Sequence, residues 1–99
     1  MLNLDKIMLE TTEVEFMGQI IHMKQPSVLV WERINEAEKD LSAENFLEKR
    51  AKVTKILLDN NEEGKMFDIE DVKKLSRRAM DTLIAAATAS SIEADNDPN

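Results

Sequence analysis

The chain contains no cysteine and no tyrosine, one histidine and one tryptophan. Without thiols there is no disulfide, no thiolate nucleophile and no sulfur ligand for a metal. A nucleophile–histidine–acid triad would have to rest on His22, which falls in the charged register of an expected strand and reads as a strand histidine flanked by carboxylates such as Glu13. Glycine and proline occur twice each, so no glycine-rich phosphate loop is present. No apolar run approaches the ~20 residues of a membrane span. Residues 1–10 lack the basic and apolar regions of a secretory signal, which sets the expected address as a reducing cytoplasm.

What remains is a chain of 99 residues, 42% apolar and 33% charged, with a net charge of −7. That length suits one domain with one core. The negative excess gathers at the ends, with Glu10, Glu13 and Glu15 near the start and Glu93, Asp95 and Asp97 near the end. Such a chain is repelled by phosphate backbones, which disfavours nucleic acid as a partner.

Residues 1–11 show no period and read as a lead-in or a short strand. From Thr12 the period is two: Thr12, Val14 and Phe16 point one way, Glu13 and Glu15 the other. Met17-Gly18 reads as a tight turn, and residues 19–24 as the returning strand. A two-residue turn sets Phe16 against Gln19, Val14 against Ile21 and Thr12 against Met23. Val14, Phe16, Ile21 and Met23 then need cover, because a lone hairpin is marginal.

Pro26 ends the strand and Ser27 caps a first helix with the stripe Val30, Trp31, Ile34, Ala37 and Leu41. Ser42 restarts a second helix with Phe46, Leu47, Ala51, Val53, Leu57 and Leu58 on its apolar face. After a loop from Asn60 to Lys65, Asp68 caps a third helix lined by Ile69, Val72, Leu75, Ala79, Met80, Leu83 and Ala86. The predicted fold is α+β and mainly helical: an N-terminal β-hairpin packed on about three α-helices over residues 1–89. An acidic, disordered tail is expected over 90–99.

No catalytic or cofactor-binding residue is assigned, and the expected class is a non-enzymatic binding protein. Asp59, Asn61, Glu63, Gly64 and Glu70 fall at positions 1, 3, 5, 6 and 12 of a calcium loop, but the helical rhythm of Ile69 and Val72 starts one residue late and there is no second copy. A solvated helix face is the plainer reading of Lys73, Lys74, Arg77 and Arg78, since no aromatics interleave to stack bases. The alternatives to a protein-binding role are therefore a small nucleic-acid-binding regulator using that face and, behind it, a single-loop calcium module. Four residues are the candidate partner contacts: Arg50, which breaks an apolar stripe and either snorkels to solvent, the plainer reading, or meets a partner's carboxylate; Leu29, off its stripe; and the loop pair Met66 and Phe67. Leu29, Ile56 and Ile84 lie beside their stripes and are the expected contacts of a weak homo-oligomer.

The layout as a whole resembles the tail assembly chaperones of long-tailed, siphovirus-type bacteriophages. The likeness is carried by Val14-Glu15-Phe16-Met17-Gly18-Gln19-Ile20 running into Lys24-Gln25-Pro26-Ser27, a charged helical middle, and a Gly64-Lys65 loop before Asp68-Ile69-Glu70-Asp71-Val72-Lys73-Lys74-Leu75. It spans about Val14 to Ala89 and is one of order, so no binding residue carries over. The resemblance implies a protein of the host cell cytoplasm that coats the tape measure protein, keeps it soluble, helps recruit tail tube subunits and is absent from the mature virion. It also implies that a longer, frameshifted form is common among relatives.

Overall fold

The computed structural model describes residues 1–88 in full and, of 89–96, the course of the last helix. The order is α1 (Leu4–Met8), β1 (Thr11–Phe16), β2 (Gln19–Lys24), α2 (Val28–Ala37), α3 (Phe46–Asp59), α4 (Ile69–Val72) and α5 (Arg77–Asn96). The protein is thus α+β and mainly helical, as predicted. The expected tail over 90–99 lies outside the residues described in full.

The hairpin has the expected register: Phe16 pairs with Gln19, Val14 with Ile21 and Thr12 with Met23. Met17 and Gly18 both take positive φ, 55° and 73°. A turn with both central residues in that region matches the right-handed twist of the strands it joins. Ile21 and Met23 are buried beneath it, and Val14 and Phe16 are half-buried.

α3 is the hub. It contacts α2, α4, α5 and β2. Ala51 and Leu58, seven residues apart on one flank, join Ile21, Phe67, Val72 and Met80 in one apolar cluster. Val53 and Leu57, one turn apart on the other flank, join Met23, Ile34 and Ala87 in a second. Thr54 lies buried between the flanks and satisfies its hydroxyl by donating to the Arg50 carbonyl at 2.8 Å.

Several sequence expectations are corrected. Residues 4–8 form a helix, with the Asn3 side chain accepting from the Lys6 N–H at its start. Leu41 is not part of a helical stripe: α2 ends at Ala37, Asp40 turns the chain at φ 58°, and Leu41 is exposed. Ser42 and Asn45 cap each other across a turn, Ser42 N–H to Asn45 Oδ1 at 2.8 Å and Asn45 N–H to Ser42 Oγ at 3.3 Å, so α3 starts only at Phe46. Leu47, expected on the inner face of α3, is exposed. The expected third helix is two. The Ser76 hydroxyl accepts from the Ala79 N–H at 3.1 Å and starts α5 afresh, because a serine side chain competes for the backbone that a continuing helix would use.

Candidate docking surfaces

The two edges of the hairpin are treated differently. Beyond β2, the chain leaving α3 runs alongside: the Lys24 N–H donates to the Asn60 carbonyl at 2.8 Å, the Glu62 N–H donates to the His22 carbonyl at 3.0 Å, and Asn61 bridges to Met23. Asn61 is buried and organises the loop. Its Nδ2 donates to the carbonyls of Leu58 at 2.7 Å and Lys65 at 2.9 Å, and its Oδ1 accepts from the Lys65 N–H at 2.9 Å.

His22 is held from both sides. Its N–H donates to Glu63 Oε1 at 2.8 Å, its Nδ1 lies 2.6 Å from Glu63 Oε2, and its Nε2 lies 3.4 Å from Glu13 Oε1. Donating a hydrogen bond to Glu63 raises the pKa of the imidazole, against a smaller opposing effect of desolvation, and the nearby carboxylate charges raise it further. Glu63 is lowered, chiefly by the His22 N–H and then by the ring. Glu13 is the neighbour the strand register predicts; Glu63 comes from 41 residues away and has no sequence signal.

The same contacts engage side chains that the calcium-loop spacing singled out. Asp59 Oδ1 accepts from the Phe67 N–H at 2.8 Å and its other oxygen pairs with Lys55. Asn61 and Glu63 are engaged as described, so three of the would-be ligands already hold the loop together. Among the described residues no group of three or more acidic, histidine or cysteine side chains has the arrangement of a metal site.

The basic face is also largely engaged. Lys73 lies 3.9 Å from Glu70, Lys74 lies 3.3 Å from Asp71, and Arg77 lies 3.8 Å from Asp81 and over the Phe46 ring at 5.0 Å. These pairs lie within one helix or one turn, as expected of a solvated face.

Of the four residues proposed as partner contacts, two are turned inward. Arg50 meets a carboxylate of its own chain: its Nε donates to Asp81 Oδ1 at 3.1 Å, tying α3 to α5, with the guanidinium 5.6 Å from the Phe46 ring. Phe67 is 8% exposed and stacks on Phe16 at 5.3 Å, inside the core. Leu29 and Met66 are 72% and 74% exposed. The fold does not build them into an obvious pair. Leu29 belongs to the first turn of α2, which follows the Lys24 end of β2; Met66 follows Lys65, whose ammonium contacts Gln19 at the other end. Ile56 and Ile84, expected beside their stripes and open to a second copy, pack instead against the second core cluster.

What the fold brings together was not legible from spacing. Thr11 pairs with Lys24 at the open end of the hairpin, and Gln25 Nε2 donates to Glu10 Oε2 at 3.2 Å. The end of α1 and the beginning of α2 therefore leave the sheet side by side. Met8, Leu9, Val28 and Leu29 at that end are each between 67% and 76% exposed, and Leu2, before α1, and Leu4, at its start, are exposed as well. A second feature is an open groove of about 470 Å³ between β1 and α5, with Val14, Ala79, Leu83 and Ala86 among its lining. No helix among the described residues is long and apolar enough to cross a membrane.

Comparison with protein-family models, with characterised proteins and with solved structures gives no match.

Proposed function

We propose that this protein is a tail assembly chaperone of a long-tailed bacteriophage, a non-catalytic protein that binds the tape measure protein in the host cytoplasm, keeps it soluble and helps recruit tail tube subunits. The order of hairpin, charged helical middle and final helix supports the reading through its family resemblance. The observation that carries it is the apolar surface at the open end of the hairpin, where Met8, Leu9, Val28 and Leu29 stand in solvent. Grouped apolar residues rimmed by charge mark a protein-binding surface. A long helical client presents apolar stripes that such a surface would cover, and a net charge of −7 keeps the resulting complex soluble.

Co-expression with the tape measure protein of the same phage tests the proposal. The expected result is co-purification and a larger soluble fraction of the client, both reduced by Leu9→Asp together with Leu29→Asp. A client equally insoluble with and without the chaperone would overturn it.

A further inference from the structure

We propose that the groove between β1 and α5 is a second binding site, which takes an extended peptide segment as an added strand on β1. The partner segment alternates basic residues with small or medium apolar ones. This inference rests on the groove and the strand edge, and holds whether or not the partner is a tape measure protein.

The outer edges of the two strands differ. On β2, His22 and Lys24 turn their backbone groups outward, and the 60–63 segment takes them up. Glu13 and Thr11 are their register partners on β1. In an antiparallel pair the residues of one non-hydrogen-bonded pair turn their N–H and C=O away from each other, so Thr11, Glu13 and then Glu15 present theirs along the outer edge of β1. No backbone hydrogen bond to these groups comes from another part of the described chain. An open strand edge is a template for another strand, and among the described residues a backbone segment pairs with the outer edge of β2 and none with that of β1.

The groove beside β1 is lined on its helical side by Ser76, Arg78, Ala79, Thr82, Leu83 and Ala86. Ser76, Ala79, Thr82 and Ala86 are short and leave room for the side chains of an added strand, while Arg78 is the one cation of that lining, to be set against Glu13 within the groove and Glu15 on the strand beside it. Strand addition beside a helix gives affinity through main-chain bonds and specificity through alternate side chains.

Charge names the occupant. Glu13 and Glu15 are exposed on the face away from the core. Side chains of an added strand on that face would lie directly opposite them, where Lys or Arg is favoured and an acid is not. Alternate side chains would rest on Val14, Ala79 and Leu83, where apolar groups fit. A second copy is disfavoured by the same rule: β1 paired antiparallel with itself sets glutamates against glutamates.

The test uses the full chain, labelled for amide NMR, and a nine-residue peptide in which Lys alternates with Val. A block peptide of the same composition is the control for plain charge attraction. The alternating peptide is expected to slow hydrogen exchange at the Thr11, Glu13 and Glu15 amides. Glu15→Lys is expected to weaken it about tenfold. Thr82→Trp, which fills the groove at an exposed position without changing charge, is expected to weaken it too. Equal binding by the block peptide, unchanged exchange at those amides, or indifference to both variants would overturn the proposal. So would exchange at those amides that slows with protein concentration alone, which would make a second copy the occupant.

Discussion

Met23 of β2 and Asn61, just past the end of α3, form an antiparallel bridge that gives the two-stranded hairpin a third, irregular flank. A hairpin alone is marginal. Here it is clamped on one edge by a loop that is itself built around the side chain of Asn61.

Asn61→Ala should therefore be among the costly polar substitutions. It removes one acceptor and two donations from a side chain that is 5% exposed, leaving the Leu58 and Lys65 carbonyls and the Lys65 N–H short of partners. The expected loss is about 2–3 kcal/mol in urea unfolding. Asn61→Asp should be at least as damaging, because it turns a carboxylate on two carbonyls. A loss below about 0.5 kcal/mol, the level of an ordinary surface change, would mean that the loop reorganises around another group.

The His22–Glu63 contact gives this clamp a pH window. His22 is raised above its ordinary 6.5, so its contribution is complete below that value and lost as pH rises through the folded-state pKa. Glu63 is lowered below its ordinary 4.5, so its contribution is present above 4.5 and lost as pH falls through its own folded-state value. Between about 4.5 and 6.5 both operate. Thermal unfolding followed from pH 5 to pH 8.5 should show a midpoint that declines on the alkaline side, and His22→Gln should flatten that limb. Parallel profiles for the two proteins would show that the contact does not titrate with folding.

Arg50 and Asp81 join α3 to α5, yet the pair is only partly shielded, with side chains 27% and 43% exposed. Ion pairs of that kind are screened and contribute about 0–1 kcal/mol. The stacking of Arg50 on Phe46 adds a similar amount at best. A double-mutant cycle of Arg50→Ala and Asp81→Ala should give a coupling of about 0.5 kcal/mol that shrinks in 0.5 M salt. A coupling above about 2 kcal/mol would mark the pair as a buried anchor.

The elements fixed by short-range rules were the legible ones. The period of two over residues 12–16 and the turn at Met17-Gly18 determine the whole hairpin register, and Ser27 announces α2. Residues whose role depends on distant partners were not legible. Arg50 looked like a side chain waiting for a foreign carboxylate because nothing in its own helix places Asp81, 31 residues on, beside it. Phe67 looked like a loop tip because its stacking partner, Phe16, lies on the hairpin. Ser76 sits within an unbroken apolar rhythm, so the break between α4 and α5 shows only in its cap. The apolar surface at the open end of the hairpin depends on α1, whose five residues are too few for the spacing of Leu4, Ile7 and Met8 to stand out as a period.

Leu29 and Leu57 make the sharpest contrast between surface and core. Leu57 is 0% exposed and sits in the cluster that joins α2, α3, α5 and β2, whereas Leu29 is 72% exposed in the first turn of α2. Leu57→Ala should cost about 2–5 kcal/mol through lost burial and the cavity left behind. For a domain near this size each kcal/mol moves the thermal midpoint by about 4–8 °C, so the midpoint should fall by about 8 °C or more. Leu29→Asp should leave the midpoint within a few degrees, since exposed substitutions stay within about 0.5 kcal/mol. The comparison also decides whether the surface is covered in solution. With Ile56 and Ile84 packed against the core, Leu29 is the one member of the off-stripe set left to support self-association. A concentration-dependent mass in light scattering that Leu29→Asp abolishes would place a second copy on the open end of the hairpin. A constant monomer mass from micromolar to near-millimolar concentration would leave that surface to a different protein.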